Sequence, residues 1–158
     1  MDYKACLIFA AEKHNKQYRR GGLPYITHPK AVSDIVRDWG YDEIYQITAL
    51  FHDLLEDTDA TEEQLLSLSC PEVVQAVKLL TKRPGDQMAE YIAGIKSNPI
   101  AFTVKAADRL HNLHCAVATD EAFKRSYIAE TEEWYMDFCP EIHVALSALK
   151  QSLTNEVK

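Results

Sequence analysis

Apolar residues recur along this chain at three- and four-residue spacing, and nowhere convincingly at the alternating spacing of a half-buried strand. Cys6, Leu7, Phe9 and Ala10 mark a first helix over residues 3–16. Arg19-Arg20-Gly21-Gly22-Leu23-Pro24 cannot continue it and reads as a loop. Pro29 suits the first turn of a second helix, running to about Trp39 before Gly40. Asp42 is placed to cap a third helix, in which Ile47, Leu50, Phe51, Leu54 and Leu55 form a core stripe. Thr61 and Gln64 have capping-box spacing for a short fourth helix. Pro71 opens a fifth through Val73, Val74, Val77 and Leu80, ended by Pro84-Gly85. Asp86 begins a sixth to about Lys96, and Asn98-Pro99 a long seventh carrying Val104, Ala107, Leu110 and Leu113. Two more follow, at roughly 121–138 and 140–154. The pattern predicts an all-α fold, a compact single domain over 1–158 with about eight or nine helices. Trp39, Trp134, Tyr135, Phe138, Val144, Leu146 and Leu149 are expected in its core, and a homodimer contact through the last two helices stays open.

The polar side of the third helix carries chemistry. At about 100° per residue, His52, Asp53, Glu56 and Asp57 fall within an arc of roughly 140°. Three carboxylates on one face repel one another unless they are solvated, protonated or share a cation. That face reads as half of a metal site. Nitrogen- and oxygen-bound metals usually take four or more protein groups, and one helix face rarely supplies them all. His28 is held between Pro24 and Pro29, and Asp108 lies among small and apolar residues. Each also has a plain structural reading, His28 as a hydrogen-bonded core histidine and Asp108 as a surface pair with Lys105 or Arg109. The ordered set His28, His52-Asp53, Asp108 narrows the choice.

Composition removes several classes. With 47% hydrophobic and 26% charged residues, the 158-residue chain is an ordinary folding sequence. A net charge of −7 speaks against a nucleic-acid partner. No apolar stretch approaches the ~20 residues that span a bilayer, and the N-terminus has no secretory signal pattern, so a cytoplasmic protein without a membrane partner is expected. Cys6, Cys70, Cys115 and Cys139 are scattered, as reduced thiols are, without the spacing of a disulfide framework or a zinc-thiolate site.

The motifs His14-x-x-Gln17, Arg19 through Pro29, Ala49 through Thr58 and Val104 through Leu113 together resemble the HD-domain metal-dependent phosphohydrolases, whose ligand order is H…HD…D. More narrowly they resemble the alarmone hydrolase domain of RelA/SpoT-type enzymes and their short stand-alone relatives. The resemblance covers residues 9–115 and leaves a helical remainder, 116–158, without an assigned role. It implies a divalent metal, usually manganese, held by His28, His52, Asp53 and Asp108. It implies a catalytic pair, Glu56 and Asp57, that activates the attacking water and handles protons on the bridging or leaving oxygen. Substrate contacts would come from Arg19 on the base, Arg20 on phosphate, Asn112 on the sugar or 3′-oxygen, and Gly21 and Lys105 nearby. The implied reaction removes the 3′-pyrophosphate of ppGpp or pppGpp, giving GDP or GTP, and the chain has no room for a synthetase domain. Three departures bear on substrate. Gly21 stands where serine is frequent, His114 where arginine is common, and the Thr81–Asn98 segment, holding Tyr91 and Lys96, is short. Adenosine alarmones, NADPH-type 2′-phosphates and nucleoside monophosphates remain alternative substrates, and a non-catalytic nucleotide sensor remains an alternative role.

Overall fold

The computed structural model describes residues 1–156, which leaves the last two residues of the expected domain span outside it. Among the described residues the chain forms ten helices and no strand, with a single isolated bridge between Tyr18 and Pro24. They are α1 (Tyr3–Lys13), α2 (Thr27–Asp38), α3 (Glu43–Phe51), α4 (Leu54–Asp57), α5 (Glu62–Leu68), α6 (Pro71–Leu80), α7 (Met88–Lys96), α8 (Pro99–Ala116), α9 (Glu121–Trp134) and α10 (Pro140–Glu156). The all-α expectation holds. The helix count exceeds it because the third expected helix is two, broken at His52-Asp53.

Local chemistry sets most boundaries. Asp2, Asp42 and Asp120 accept from amides of the first turns they precede. Thr61 and Gln64 complete the capping box of α5, and Pro71 opens α6. Asn98 Oδ1 caps α8 through the amides of Ile100 and Ala101. Gly40, at φ +93°, closes α2, with Tyr41 N–H donating to Val36 O and Gly40 N–H to Arg37 O. This is the αL glycine ending that L side chains resist. Other boundaries differ from the pattern. The first helix stops at Lys13, three residues early, and Lys16 then takes φ 66°. The seventh helix of the chain starts at Met88, because Asp86 closes a turn onto the Arg83 amide. The ninth stops at Trp134.

The chain divides into two compact units, Met1–Lys105 and Ala106–Lys158, with α8 running through the boundary. In the first unit Cys6 and Ala10 of α1, Ile47, Leu50 and Phe51 of α3, Leu54, Leu65 and the α6 residues Val73 and Val77 form one buried cluster. Phe9 meets the Phe51 ring edge-on at 6.1 Å. Leu50, Phe51 and Leu54 are fully buried, worth roughly 1.5–3 kcal/mol apiece relative to exposure, and they fix the two helices that flank His52-Asp53. In the second unit Tyr135, Phe138, Ile142, Leu146 and Leu149 are buried, as the pattern requires for four of them. Val144 is not. It is 74% exposed, because a residue two positions from Leu146 lies roughly 200° round the helix from it. Trp39 and Trp134 are half-buried. No helix among the described residues is long and apolar enough to cross a membrane.

Candidate active site

The break in the third expected helix creates the site. His52 turns its Nδ1 onto the Ala49 carbonyl at 2.6 Å, and its own amide reaches the same carbonyl at 3.4 Å. That carbonyl would otherwise accept from Asp53, so the α-helical ladder ends there. Asp53 takes φ −100°, ψ −2°, and the helix restarts with Asp57 N–H donating to Asp53 O at 3.0 Å. The continuous polar arc expected for His52, Asp53, Glu56 and Asp57 is therefore corrected. His52 is driven into the interior at 4% exposure, whereas Glu56 and Asp57 stay open to solvent. Asp53, Glu56 and Asp57 still gather, each offering a carboxylate oxygen within 4.8 Å of the others.

His28 enters from the first turn of α2, inside the segment bounded by Pro24 and Pro29. Thr27 Oγ1 donates to Pro24 O at 2.7 Å, which starts α2 and buries the His28 ring to 1% exposure. The His28 and His52 rings meet edge-on with centroids 5.3 Å apart. Asp53 Oδ2 lies 3.1 Å from His52 Nε2 and 3.9 Å from His28 Nε2. With Nδ1–H of His52 given to Ala49, its Nε2 presents a lone pair toward that carboxylate unless the ring is protonated. Two imidazole nitrogens and a carboxylate oxygen converging in this way fit a divalent cation with nitrogen and oxygen ligands.

Behind this set lies a layer that sequence reasoning did not assign. Tyr25 donates its hydroxyl to Asp53 Oδ2 at 2.6 Å. The His14 ring leans on Tyr25 at 4.7 Å, and its Nδ1–H donates to Gln17 Oε1 at 2.8 Å. Gln17 Nε2 then donates to the Asp57 carbonyl at 3.0 Å. Burial pushes the His14 imidazole below its ordinary pKa. The signal available in the sequence was the three-residue spacing of His14 and Gln17 and an aromatic residue inside the Pro-bounded turn. Glu56 is held by another distant partner, the Lys82 amide, which donates to its Oε1 at 2.7 Å. Asp57 is pushed up to about 6, by partial desolvation first and then by the charges of Asp53 and Glu56, against the lowering effect of His52.

The expected substrate residues are spread over three elements. Residues 18–24 form a small hairpin in which Arg19 N–H donates to Leu23 O and Gly22 N–H to Arg19 O. Gly21 at its tip has φ +92°, a conformation a serine side chain resists. Arg19 is half-buried with its guanidinium 5.8 Å from the Tyr25 ring centre, and Arg20 is exposed. Lys105 places its ammonium 5.8 Å from the Tyr91 ring centre, and Tyr91 is anchored to the Leu80 carbonyl. Asp108 belongs to the second unit, on α8, where it is 5% exposed and accepts from Asn112 Nδ2 at 3.2 Å. Arg109 does not serve as its surface partner. Its guanidinium is directed to Tyr127, Tyr135 and Glu130.

Comparison with known proteins places this geometry. The sequence model described as HD domain matches residues 6–139. A Brucella ovis protein named GTP pyrophosphokinase rsh is 34% identical over 134 residues, 78% of this chain and 18% of that protein. A Haemophilus influenzae protein named guanosine-3′,5′-bis(diphosphate) 3′-pyrophosphohydrolase is 34% identical over 147 residues, 86% of this chain and 21% of that one. The chain thus spans about a fifth of the length of these curated relatives. A solved structure described as a metazoan ortholog of SpoT that hydrolyses ppGpp superposes with a TM-score of 0.76 at 25% identity, covering 94% of this chain and 93% of its own. Both the length of the family match and the arrangement of the two histidines with Asp53 lead to one conclusion: the chain belongs to the HD-domain family.

Proposed function

We propose that the chain is a metal-dependent phosphohydrolase that removes the 3′-pyrophosphate of a guanosine alarmone, ppGpp or pppGpp, acting as one HD domain. The observation that carries it is the approach of His28 Nε2 and His52 Nε2 to one oxygen of Asp53, with Glu56 and Asp57 beside it. Support for the substrate class comes from the relatives named for pyrophosphohydrolase activity and from the solved ppGpp hydrolase of similar fold. In this reading His28, His52 and Asp53 hold the ion, with manganese the expected one, and the resemblance implies Asp108 as a further ligand. A divalent cation there supplies Lewis acidity to the phosphoryl group. Glu56, fixed by the Lys82 amide, and Asp57 orient the attacking water, take its proton and return one to the leaving oxygen. Arg19 stacks on the base, and Arg20 and Lys105 meet phosphate, tasks suited to a planar guanidinium and to point charges. Asn112 reaches the sugar side from its place beside Asp108. Gly21 leaves room at the hairpin tip where a side chain would stand. A cytoplasmic setting, and a homodimer contact around exposed Val144, belong to the same reading.

The test is product release by manganese-loaded protein given ppGpp, its adenosine counterpart, NADPH and a nucleoside monophosphate side by side, with Asp53→Ala as control. Pyrophosphate from ppGpp, absent with the variant, is the expected result. Orthophosphate from NADPH or the monophosphate, with the alarmones untouched, would move the chain to a different HD phosphatase activity. Metal binding with no product from any of the four would favour a sensor.

A further inference from the structure

We infer that Tyr25 is a positioning residue for the metal-binding carboxylate, and that its hydroxyl selects which oxygen Asp53 presents to the imidazoles. This rests on the metal reading above. An aspartate at a helix N-cap ordinarily turns an oxygen onto the following backbone amides. Asp53 occupies the N-cap of α4 and makes no such bond. Its Oδ2 instead accepts the Tyr25 hydroxyl at 2.6 Å, the length of a charge-assisted hydrogen bond. The same Oδ2 faces both His52 and His28. The terminal torsion of an aspartate is broad and roughly two-fold, so an external donor is needed to choose one orientation. Tyr25 supplies such a donor.

The tyrosine is itself fixed from several sides. Its amide donates to Gln17 O at 2.8 Å. Its ring is packed by His14 at 4.7 Å, meets His28 edge-on at 6.0 Å and lies beneath the Arg19 guanidinium. Gln17 links the same layer to the backbone of Asp57. The hairpin that carries Arg19 is thus joined through one side chain to the carboxylate beside both histidines. Removing the hydroxyl alone keeps the ring and its packing and deletes the bond to Asp53. Outer partners of metal ligands typically contribute 10- to 100-fold in metal affinity.

The experiment is Mn2+ titration by calorimetry of the metal-free full chain, the Tyr25→Phe variant and Asp53→Ala, with thermal midpoints of the metal-free proteins and the visible spectrum of each loaded with Co2+. The expected result is Mn2+ affinity at least about tenfold weaker in Tyr25→Phe. It is accompanied by a shifted Co2+ spectrum and a metal-free midpoint within about 2 °C of the parent. Affinity within twofold of the parent with an identical Co2+ spectrum would overturn the inference. Should the variant lower the metal-free midpoint, the Co2+ spectrum of the folded protein decides, an unchanged spectrum counting against the role and a shifted one for it. Asp53→Ala separates the two levels. If it binds Mn2+ as the parent does, the metal reading itself fails; if it loses Mn2+ while Tyr25→Phe keeps it, only the role of Tyr25 falls.

Discussion

Two regions of this molecule concentrate charge, and they handle it in opposite ways. In the second unit Arg109 is 3% exposed, with its guanidinium 4.2 Å and 3.9 Å from the ring centres of Tyr127 and Tyr135. Glu130 pairs with it and Thr131 Oγ1 accepts from it at 3.4 Å. Opposite charge and aromatic faces surround a single cation. In the first unit Asp53, Glu56 and Asp57 crowd charges of one sign beside two buried histidines. Like charges this close repel, and a divalent cation bound there would offset the repulsion. The sign pattern of the partners, more than burial itself, separates a scaffold from a site.

The comparison breaks most visibly at Asp53. Asp53→Ala should abolish Mn2+ binding and lower hydrolysis by at least about 10³-fold, while relief of like-charge repulsion offsets the lost Tyr25 hydrogen bond and keeps the metal-free midpoint near the parent's. Calorimetric titration, turnover and a melting curve on the same preparation check all three. Glu56→Ala should fall about 10²- to 10⁴-fold in turnover with Mn2+ affinity near that of the parent, since Glu56 is read as acting on water and protons. Parent-rate turnover by this variant would remove Glu56 from the mechanism.

Arg109 should respond in the reverse sense. Arg109→Ala deletes two aromatic contacts and a charge pair. Because Glu130 keeps access to water, the cost should lie at the low end for such pairs, about 3 kcal/mol or less. For a chain of this size that is a fall of up to roughly 10 °C in the metal-free midpoint. A midpoint equal to the parent's would place the Arg109 cage on the same footing as the surface ion pairs and undo the contrast with Asp53.

What the sequence made legible was residue type and order. His52-Asp53 and Asp108 stand out because polar groups are costly in apolar helical runs unless paired or metal-bound, and His28 because two prolines flank it. Reading the three as one ligand set came from the resemblance to the HD domain. Helix existence was equally plain, since the stripe through Ile47, Leu50 and Leu54 survives in the core. The break at His52-Asp53 was hidden, because a periodicity argument assumes an unbroken ladder and His52 ends it with its own side chain. Tyr25 and the Lys82 amide were hidden for another reason. Their bonds to Asp53 and Glu56 span 28 and 26 residues, and spacing rules reach only one or two helical turns.

The smallest effect sharpens the comparison by pH. Asp57 in the folded protein titrates at about 6, above a carboxylate in the unfolded chain, so the metal-free folded state holds that proton more tightly. Its protonation therefore stabilises. Metal-free stability should rise as pH falls through about 6 and gain nothing further from Asp57 once the unfolded carboxylate is also protonated, near pH 4. Because the carboxylate is open to solvent, the gain should stay below about 1 kcal/mol. Other groups titrate in the same range, so the measured quantity is the difference in urea midpoint between pH 7.5 and pH 5 for the parent against Asp57→Asn. The parent should gain more than the variant, because only in the parent does protonation of residue 57 relieve its desolvation and, after that, its repulsion with Asp53 and Glu56. Equal gains would mean that solvent already screens those three carboxylates from one another, and the like-charge cluster would cease to distinguish this region from the Arg109 cage.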